Sequence, residues 1–325
     1  MNQKGIFNID SDKDFISKCL DTFLFQYNNN IIYGRFCDYL KVNPAEVSTL
    51  EDIPFLPIQF FKKHKIVSAT KTSQITFLSS GTTGATTSKH YVTELKIYEE
   101  SYLKGFERFY GAVDDYSILA LLPSYMERNG SSLIYMVNDL IKRSNHPKSG
   151  FFLNDFEKLK SVLMELEAEN QKVLLIGVSF ALLDFAERYQ LELKNTLVME
   201  TGGMKGRRKE LIRKELHELL KQGFGVEKVH SEYGMTELLS QAYSKGNSLF
   251  ECPPWMKVLI RDTEDPLTVQ PFGKVGGINV IDLANINSCS FIATQDLGKM
   301  HASGKFEILG RFDHSDIRGC NLMAL

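Results

Sequence analysis

The chain has 325 residues, 43% of them hydrophobic and 24% charged, with a formal net charge of −2. That composition belongs to an ordinary globular protein long enough for a large core, as one big domain or two unequal ones. Lys and Arg are spread along the chain without a basic block, which excludes the electrostatic footprint of a nucleic-acid or anionic-membrane binder.

The predicted elements begin with two N-terminal helices. Residues 12–27 place Phe15, Cys19 and Phe23 at helical spacing, and residues 31–40 continue in the same style. Residues 53–61, IPFLPIQFF, are aromatic and extended, and Pro54 and Pro57 bar a regular helix there. Residues 75–78 read as a strand buried on both faces, opening into a Ser/Thr/Gly loop. Helices over 93–110, 130–143, 155–169, 180–189 and 207–221 then alternate with strands over 116–122, 172–177 and 196–199. This alternation predicts an α/β fold of mainly parallel, layered sheets with flanking helices. From Trp255 the style changes to short strands without helices, over 256–261, 277–283, 290–294 and 305–309. The expected division is an α/β core over 1–250. A smaller β-rich subdomain over 251–325 would end in a short tail bearing Cys320.

Five cysteines, Cys19, Cys37, Cys252, Cys289 and Cys320, are far apart and form no C-x-x-C pair. They predict reduced thiols in a cytoplasmic protein and argue against a disulfide framework or a zinc site. The segment MNQKGIFNID lacks the apolar core of a signal peptide. The longest apolar stretch, residues 173–186, is interrupted by Ser179 and Asp184 and is too short to span a bilayer.

Ligands of parallel sheets gather at the C-terminal strand edge. Four polar, glycine-bearing turns are expected there: the Ser/Thr/Gly loop, 123–132, 200–208 and 227–237. In the first, Ser79, Ser80, Gly81, Thr82, Thr83 and Gly84 lead to Thr86, Thr87, Ser88 and Lys89, placing seven hydroxyls within ten residues. Glycines let backbone N–H groups turn onto an anion, the hydroxyls add donors, and Lys89 adds a charge. The set suits a phosphate, although the same composition also makes a plain turn between two strands. The nucleotide P-loop spacing is absent. In 231–237, SEYGMTE, Tyr233 offers a face for an adenine ring and Gly234 permits close backbone approach. There Thr236 can donate to a phosphate, and Glu237 offers a hard oxygen for Mg²⁺. His90 and His230 flank these two segments as candidate acyl-pocket or base residues, and equally as structural histidines.

S-S-G-T-T-G followed by Lys89 is the phosphate-loop signature of the acyl-adenylate-forming (ANL-type) ligases, and the chain resembles that superfamily. Tyr233, Gly234, Thr236 and Glu237 match its Y-G-x-T-E motif. Residues 294–298 resemble its T-x-D-x-G motif and 310–313 its G-R-x-D hinge, which implies that Asp296 and Arg311 reach the ribose. Gly202, Gly203 and Met204 sit where the superfamily has a glycine-rich turn beside the adenine and acyl pocket. Segments such as IPFLPIQFFK, ETGGMKGRRKE, PPWMKVLIRD, GGINVIDLAN and LGRFDHSDIRGCNLM look most like the LuxE-like acyl-protein synthetase branch.

That resemblance implies the fold of an adenylate-forming N-terminal domain, ATP and Mg²⁺ as cofactors, and a carboxylic acid, typically a long-chain fatty acid, as substrate. It also implies an acyl-AMP intermediate, transfer to a C-terminal cysteine, and a partner such as an acyl reductase or a carrier protein. Cys320 is the candidate thiol, with Arg318 nearby to favour its thiolate, while the neighbours of Cys289 suggest a buried strand. Most of the superfamily continues into a mobile domain carrying a lysine that assists adenylation, whereas this sequence stops twelve residues after Asp313. Lys89, Lys205 or Arg207, or else a partner, is then expected to supply the cation, with Thr82, Thr83 and Glu237 meeting phosphate charge. Two alternatives stay open: a ligase that hands the acyl group to coenzyme A or a carrier protein, and a non-catalytic nucleotide-binding scaffold of a reductase complex.

Overall fold

The structure, a computed structural model, describes residues 5–68, 72–80, 87–123, 130–202 and 211–312. Among these the helices are α1 (Asp12–Asn29), α2 (Ile31–Tyr39), α3 (Phe60–Lys63), α4 (Leu95–Tyr110), α5 (Ser132–Ser144), α6 (Phe156–Ala168), α7 (Ser179–Arg188) and α8 (Arg213–Phe224). The early strands are β1 (Leu56–Pro57), β2 (Ile75–Leu78), β3 (Lys89–Val92), β4 (Ser117–Leu121), β5 (Gly150–Phe151), β6 (Val173–Val178) and β7 (Thr196–Thr201). The later ones are β8 (Val229–Tyr233), β9 (Ala242–Ser244), β10 (Phe250–Glu251), β11 (Met256–Arg261), β12 (Val275–Asp282), β13 (Phe291–Met300) and β14 (Phe306–Arg311).

The chain divides into two compact units. The first comprises Met1–Tyr98, Thr236–Ser240 and Glu251–Leu325, and the second Glu99–Met235 and Gln241–Phe250.

In the second unit β5, β4, β6, β7 and β8 run parallel in that spatial order, and β9 joins β8 antiparallel. Every residue of β4 (SILAL) and β6 (VLLIGV) is buried, because helices cover both faces of a parallel sheet. Each of those Leu, Ile and Val side chains stabilises the fold by about 2 kcal/mol. Local chemistry sets the helix ends. The Asp155 carboxylate caps α6 by accepting from Lys158 N at 3.0 Å. Gly225 ends α8 at φ 64°, where an added Cβ would stand 2.5 Å from the Leu191 carbonyl oxygen.

In the first unit β11, β12, β13 and β14 form an antiparallel series, and β13 alternates buried and half-exposed residues over most of its length. The N-terminal helices dock onto this series through polar anchors. Gln26 Nε2 donates to the carbonyls of Asn285 and Ile286 at 3.0 Å, and Ser290 N donates to its Oε1 at 2.9 Å. Asn30 caps α2 through Ile32 N and Tyr33 N and donates to the Ser288 carbonyl at 3.0 Å. The proline-containing segment is extended as expected at Leu56 and Pro57, where β1 pairs in parallel with β13, but it turns helical at Phe60 and Phe61, which open α3.

Two expectations are corrected. β2 is not buried on both faces: only Phe77 is buried, and β2 pairs antiparallel with β3 in a separate two-stranded sheet. The Ser/Thr/Gly segment therefore joins the arms of a β-hairpin and does not follow a strand of the parallel sheet. The helix expected from residue 207 starts at Arg213, after Ile212 in extended backbone at φ −65°, ψ 147°.

Candidate active site

The first unit gathers the described flanks of the Ser/Thr/Gly loop, the turn Thr236–Ser240, Asp296 and Arg311. Gly81, Thr82, Thr83, Gly84, Gly203, Met204, Lys205, Arg207 and Cys320 lie outside the described residues. The loop is closed at its base by Ser79 and Ser88. Ser79 N donates to the Ser88 carbonyl at 3.1 Å, and Ser88 N donates to Ser79 Oγ at 2.8 Å. Ser80 and Lys89 are exposed. Alternation along β3 turns Lys89 outward and buries His90.

The two motifs meet at this point. His90 Nδ1 lies 2.9 Å from the Thr236 carbonyl oxygen, across 146 residues of chain. The Ser88 hydroxyl donates to the Glu237 carboxyl. Glu237 is 5% exposed. Burial pushes its carboxyl above the ordinary range, opposed by the Ser88 hydrogen bond and by the charges of Arg311 and Lys62.

The turn carrying Glu237 is held from beneath by residues 282–285. Asn285 Nδ2 donates to the Glu237 carbonyl at 2.8 Å. Asp282 Oδ2 accepts from Leu239 N at 2.8 Å and Ser240 N at 2.9 Å. Its Oδ1 accepts from Ser240 Oγ at 2.6 Å and Ala284 N at 3.0 Å. Burial lifts Asp282 to about 6 in spite of these four donors.

Asp296 and Arg311 are register partners on β13 and β14, and Arg311 Nε donates to Asp296 Oδ1 at 3.0 Å. The Asp296 side chain is nearly buried, while that of Arg311 is 78% exposed and reaches into solvent.

In the second unit Gly202 follows β7 with φ 68°, and its carbonyl accepts from Ser179 Oγ at 2.7 Å. Tyr233 is buried, with its ring 6.1 Å from Phe250 at 66°. A Cβ on Gly234 would stand 2.4 Å from Glu232 Oε1, which accounts for the glycine. Glu232 is itself buried and accepts from Thr201 Oγ1 at 2.5 Å. Burial raises its carboxyl to about 7, opposed by Thr201 and aided by the Glu200 charge. Burial also works against ionisation of Glu200, but His217, Arg213 and Ser231 hold it below the ordinary range. His230 is lowered to about 4, by burial first and then by Lys245, Lys228 and His217.

The sequence model of the LuxE acyl-protein synthetase family matches residues 8–106 and 145–324. The chain belongs to that family. No curated protein sequence matches it. Among solved structures, ATP-bound MatB from Rhodopseudomonas palustris is 19% identical with a TM-score of 0.54, covering 73% of this chain and 47% of that one. A 2-hydroxyisobutyryl-CoA ligase in complex with 2-HIB-AMP is 12% identical with a TM-score of 0.68, covering 93% of this chain and 68% of that one. The LuxE-family chain thus spans about half the length of the MatB structure. At these identities the likeness establishes the fold, that of an adenylate-forming ligase N-terminal domain.

No group of three or more His, Cys, Asp or Glu side chains that could hold a metal occurs among the described residues. No helix among them is long and apolar enough to cross a membrane. A lone buried carboxylate still fits Mg²⁺, which is commonly held by one or two carboxylates together with substrate phosphates and water. Glu237, with its ionisation opposed by burial, is the described residue that matches this need.

Reading the motifs alone missed Asp282 and Asn285 in the LuxE-family chain and took Ser88 only as one more hydroxyl of the loop. Their signal was present: Ser88 ends the hydroxyl run, and Asp282 and Asn285 lie within GGINVIDLAN. Cys289 is buried as expected, and burial pushes its thiol far up, which makes it inert.

Proposed function

We propose that this protein activates a carboxylic acid, of the long-chain fatty acid class, with ATP to give acyl-AMP and pyrophosphate, and then carries the acyl group on Cys320. The observation that supports this reading most directly is the junction of Ser88 and His90 with Thr236 and Glu237. It joins the flank of a hydroxyl-rich loop to the segment with Mg²⁺ chemistry, in the unit that also holds the Asp296–Arg311 pair. Two neighbours in fold point the same way: one holds ATP and another an acyl-AMP.

In this reading an oxygen of the substrate carboxylate attacks the α-phosphorus of ATP. A P–O bond forms there, and the bond to pyrophosphate breaks. Thr82, Thr83, Lys89 and Lys205 meet the charge that gathers on the phosphates, the backbone of Ser80, Gly81 and Gly84 turns donors onto them, and Ser79 closes the base of the loop. Glu237 would hold Mg²⁺, which would supply neutralisation of phosphate charge. Tyr233 and Gly234 take the adenine side with Gly202, Gly203 and Met204, and Asp296 accepts from the ribose hydroxyls beside Arg311. The Cys320 thiolate then attacks the acyl carbonyl carbon. A C–S bond forms, the C–O bond to AMP breaks, and AMP leaves with the electron pair. An acyl reductase or a carrier protein would take the acyl group onward, and the protein would act in the cytoplasm.

Acid-dependent ATP–pyrophosphate exchange tests the first half, across acids of increasing chain length. Exchange is expected with the wild type and a loss of at least ~100-fold in Glu237→Ala; absence of exchange with every acid would favour a scaffold. Labelling with radioactive acyl donor tests the second half. Wild type should retain hydroxylamine-sensitive label and Cys320→Ser should not; equal retention by both would move the thiol elsewhere. Label passing directly to coenzyme A, with none on the protein, would favour the acyl-CoA ligase reading that the second neighbour's name suggests.

A further inference from the structure

His90 is fully buried on β3, four residues after the last residue of the Ser/Thr/Gly stretch left outside the description. Its Nδ1 faces a backbone carbonyl at 2.9 Å, and a carbonyl oxygen can only accept. The proton must therefore sit on Nδ1, and the ring is the neutral Nδ1–H tautomer. Nε2 is then a bare acceptor, and it is buried without a hydrogen-bond partner. The ring stands edge-on to Phe61 at 5.7 Å and 86°. Burial lowers its ionisation to about 4, so it stays uncharged at neutral pH.

One ring nitrogen thus does a single task. The Thr236 carbonyl that it grips belongs to the residue immediately before Glu237. On the other side Asn285 grips the Glu237 carbonyl and Asp282 grips the N–H groups of Leu239 and Ser240.

We propose that His90 is a positioning residue: through its Nδ1–H it sets the distance between the Ser/Thr/Gly hairpin and the Thr236–Glu237 turn, and so fixes the spacing of the two phosphate-contacting segments. The role rests on the ATP-dependent function argued above and touches no reacting atom.

The two ring nitrogens can be separated by substitution. Asn places its amide N–H where Nδ1–H stands, and Gln places its own where Nε2 stands. Asn removes more volume from the core than Gln, so a merely structural role would penalise Asn the more. His90→Asn is expected to keep kcat/KM for ATP in the exchange assay within about threefold of wild type, and His90→Gln to lose at least about tenfold, the loss of one well-made buried hydrogen bond. The loss should fall on KM for ATP more than on that for the acid. If Gln equals or exceeds Asn, the clamp does not run through Nδ1 and the proposal is overturned. A second measurement is independent of activity: ¹⁵N-histidine spectra should show His90 protonated at Nδ1 and bare at Nε2 down to about pH 5. The opposite tautomer would overturn it even if exchange is seen. A wild type without exchange but with the Nδ1–H tautomer would count against the ATP reading alone.

Discussion

Replacing Glu232 with Gln should stabilise the protein at neutral and alkaline pH by an amount that shrinks as the pH falls. The Glu232 carboxyl is buried, accepts from Thr201 Oγ1 at 2.5 Å and lies against the Gly234 backbone. Burial, with the Glu200 charge adding to it, raises the group from 4.5 to about 7. A folded value above the unfolded one means that the folded state holds the proton more tightly. The associated stability is fully present below pH 4.5 and is lost as the pH rises through about 7. At about 1.4 kcal/mol per pH unit, the gap between those two values amounts to about 3 kcal/mol as an upper limit. Gln keeps the shape and the acceptor for Thr201 but has no proton to lose. Urea denaturation at about pH 5 to about pH 8 should show the Gln variant gaining on wild type through that window, then running parallel above it. A difference that is flat across the window, or a variant less stable than wild type at the alkaline end, would refute the reasoning.

Asp282→Ala removes the acceptor of three backbone N–H groups and one hydroxyl, and should cost about 3 kcal/mol or more in urea unfolding, with Asp282→Asn recovering part of it. Gly276→Ala would place a Cβ 2.1 Å from the Arg261 carbonyl oxygen, so β11 and β12 must part; the loss should be about 3 kcal/mol in urea unfolding. Under the proposed ribose-binding role, Asp296→Asn should raise KM for ATP in the exchange assay by about tenfold with a smaller change in kcat, because it would weaken a hydrogen-bond acceptor shared by ground and transition states.

The parallel strands were legible because their chemistry is local. A run such as VLLIGV, followed by a helical repeat, has few other places to go, and β6 appears with every residue buried. The β-hairpin was not legible in the same way. ITFL reads like a core strand, but its partner is KHYV, whose pattern is polar and alternating, and pairing with it leaves only Phe77 buried. Local apolarity cannot distinguish those two fates, because the difference lies in what the strand pairs with. The start of α8 was misjudged for a similar reason: charged residues from 207 suit a helix face, yet Ile212 takes extended backbone just before Arg213.

The candidate site divides along the same line. The residues proposed to act on a ligand were chosen by residue type, because a phosphate, a ribose and a metal each demand particular atoms. The residues that hold those donors in place carry no such demand on their face. Asp282 looks like any strand-end aspartate, and Asn285 like any turn residue, until the structure sets them under a segment more than forty positions earlier. Gln26, within α1, and Asn30, between α1 and α2, likewise carry no such mark, yet they bond to the carbonyls of residues 285, 286 and 288. Those bonds place the N-terminal helices under the same short stretch that supports Glu237. A buried amide paired with backbone carbonyls is costly to leave unsatisfied, so each such residue specifies one register and rejects its neighbours. The polar residues that seem least suited to the core are therefore the ones that fix where the Glu237 turn sits.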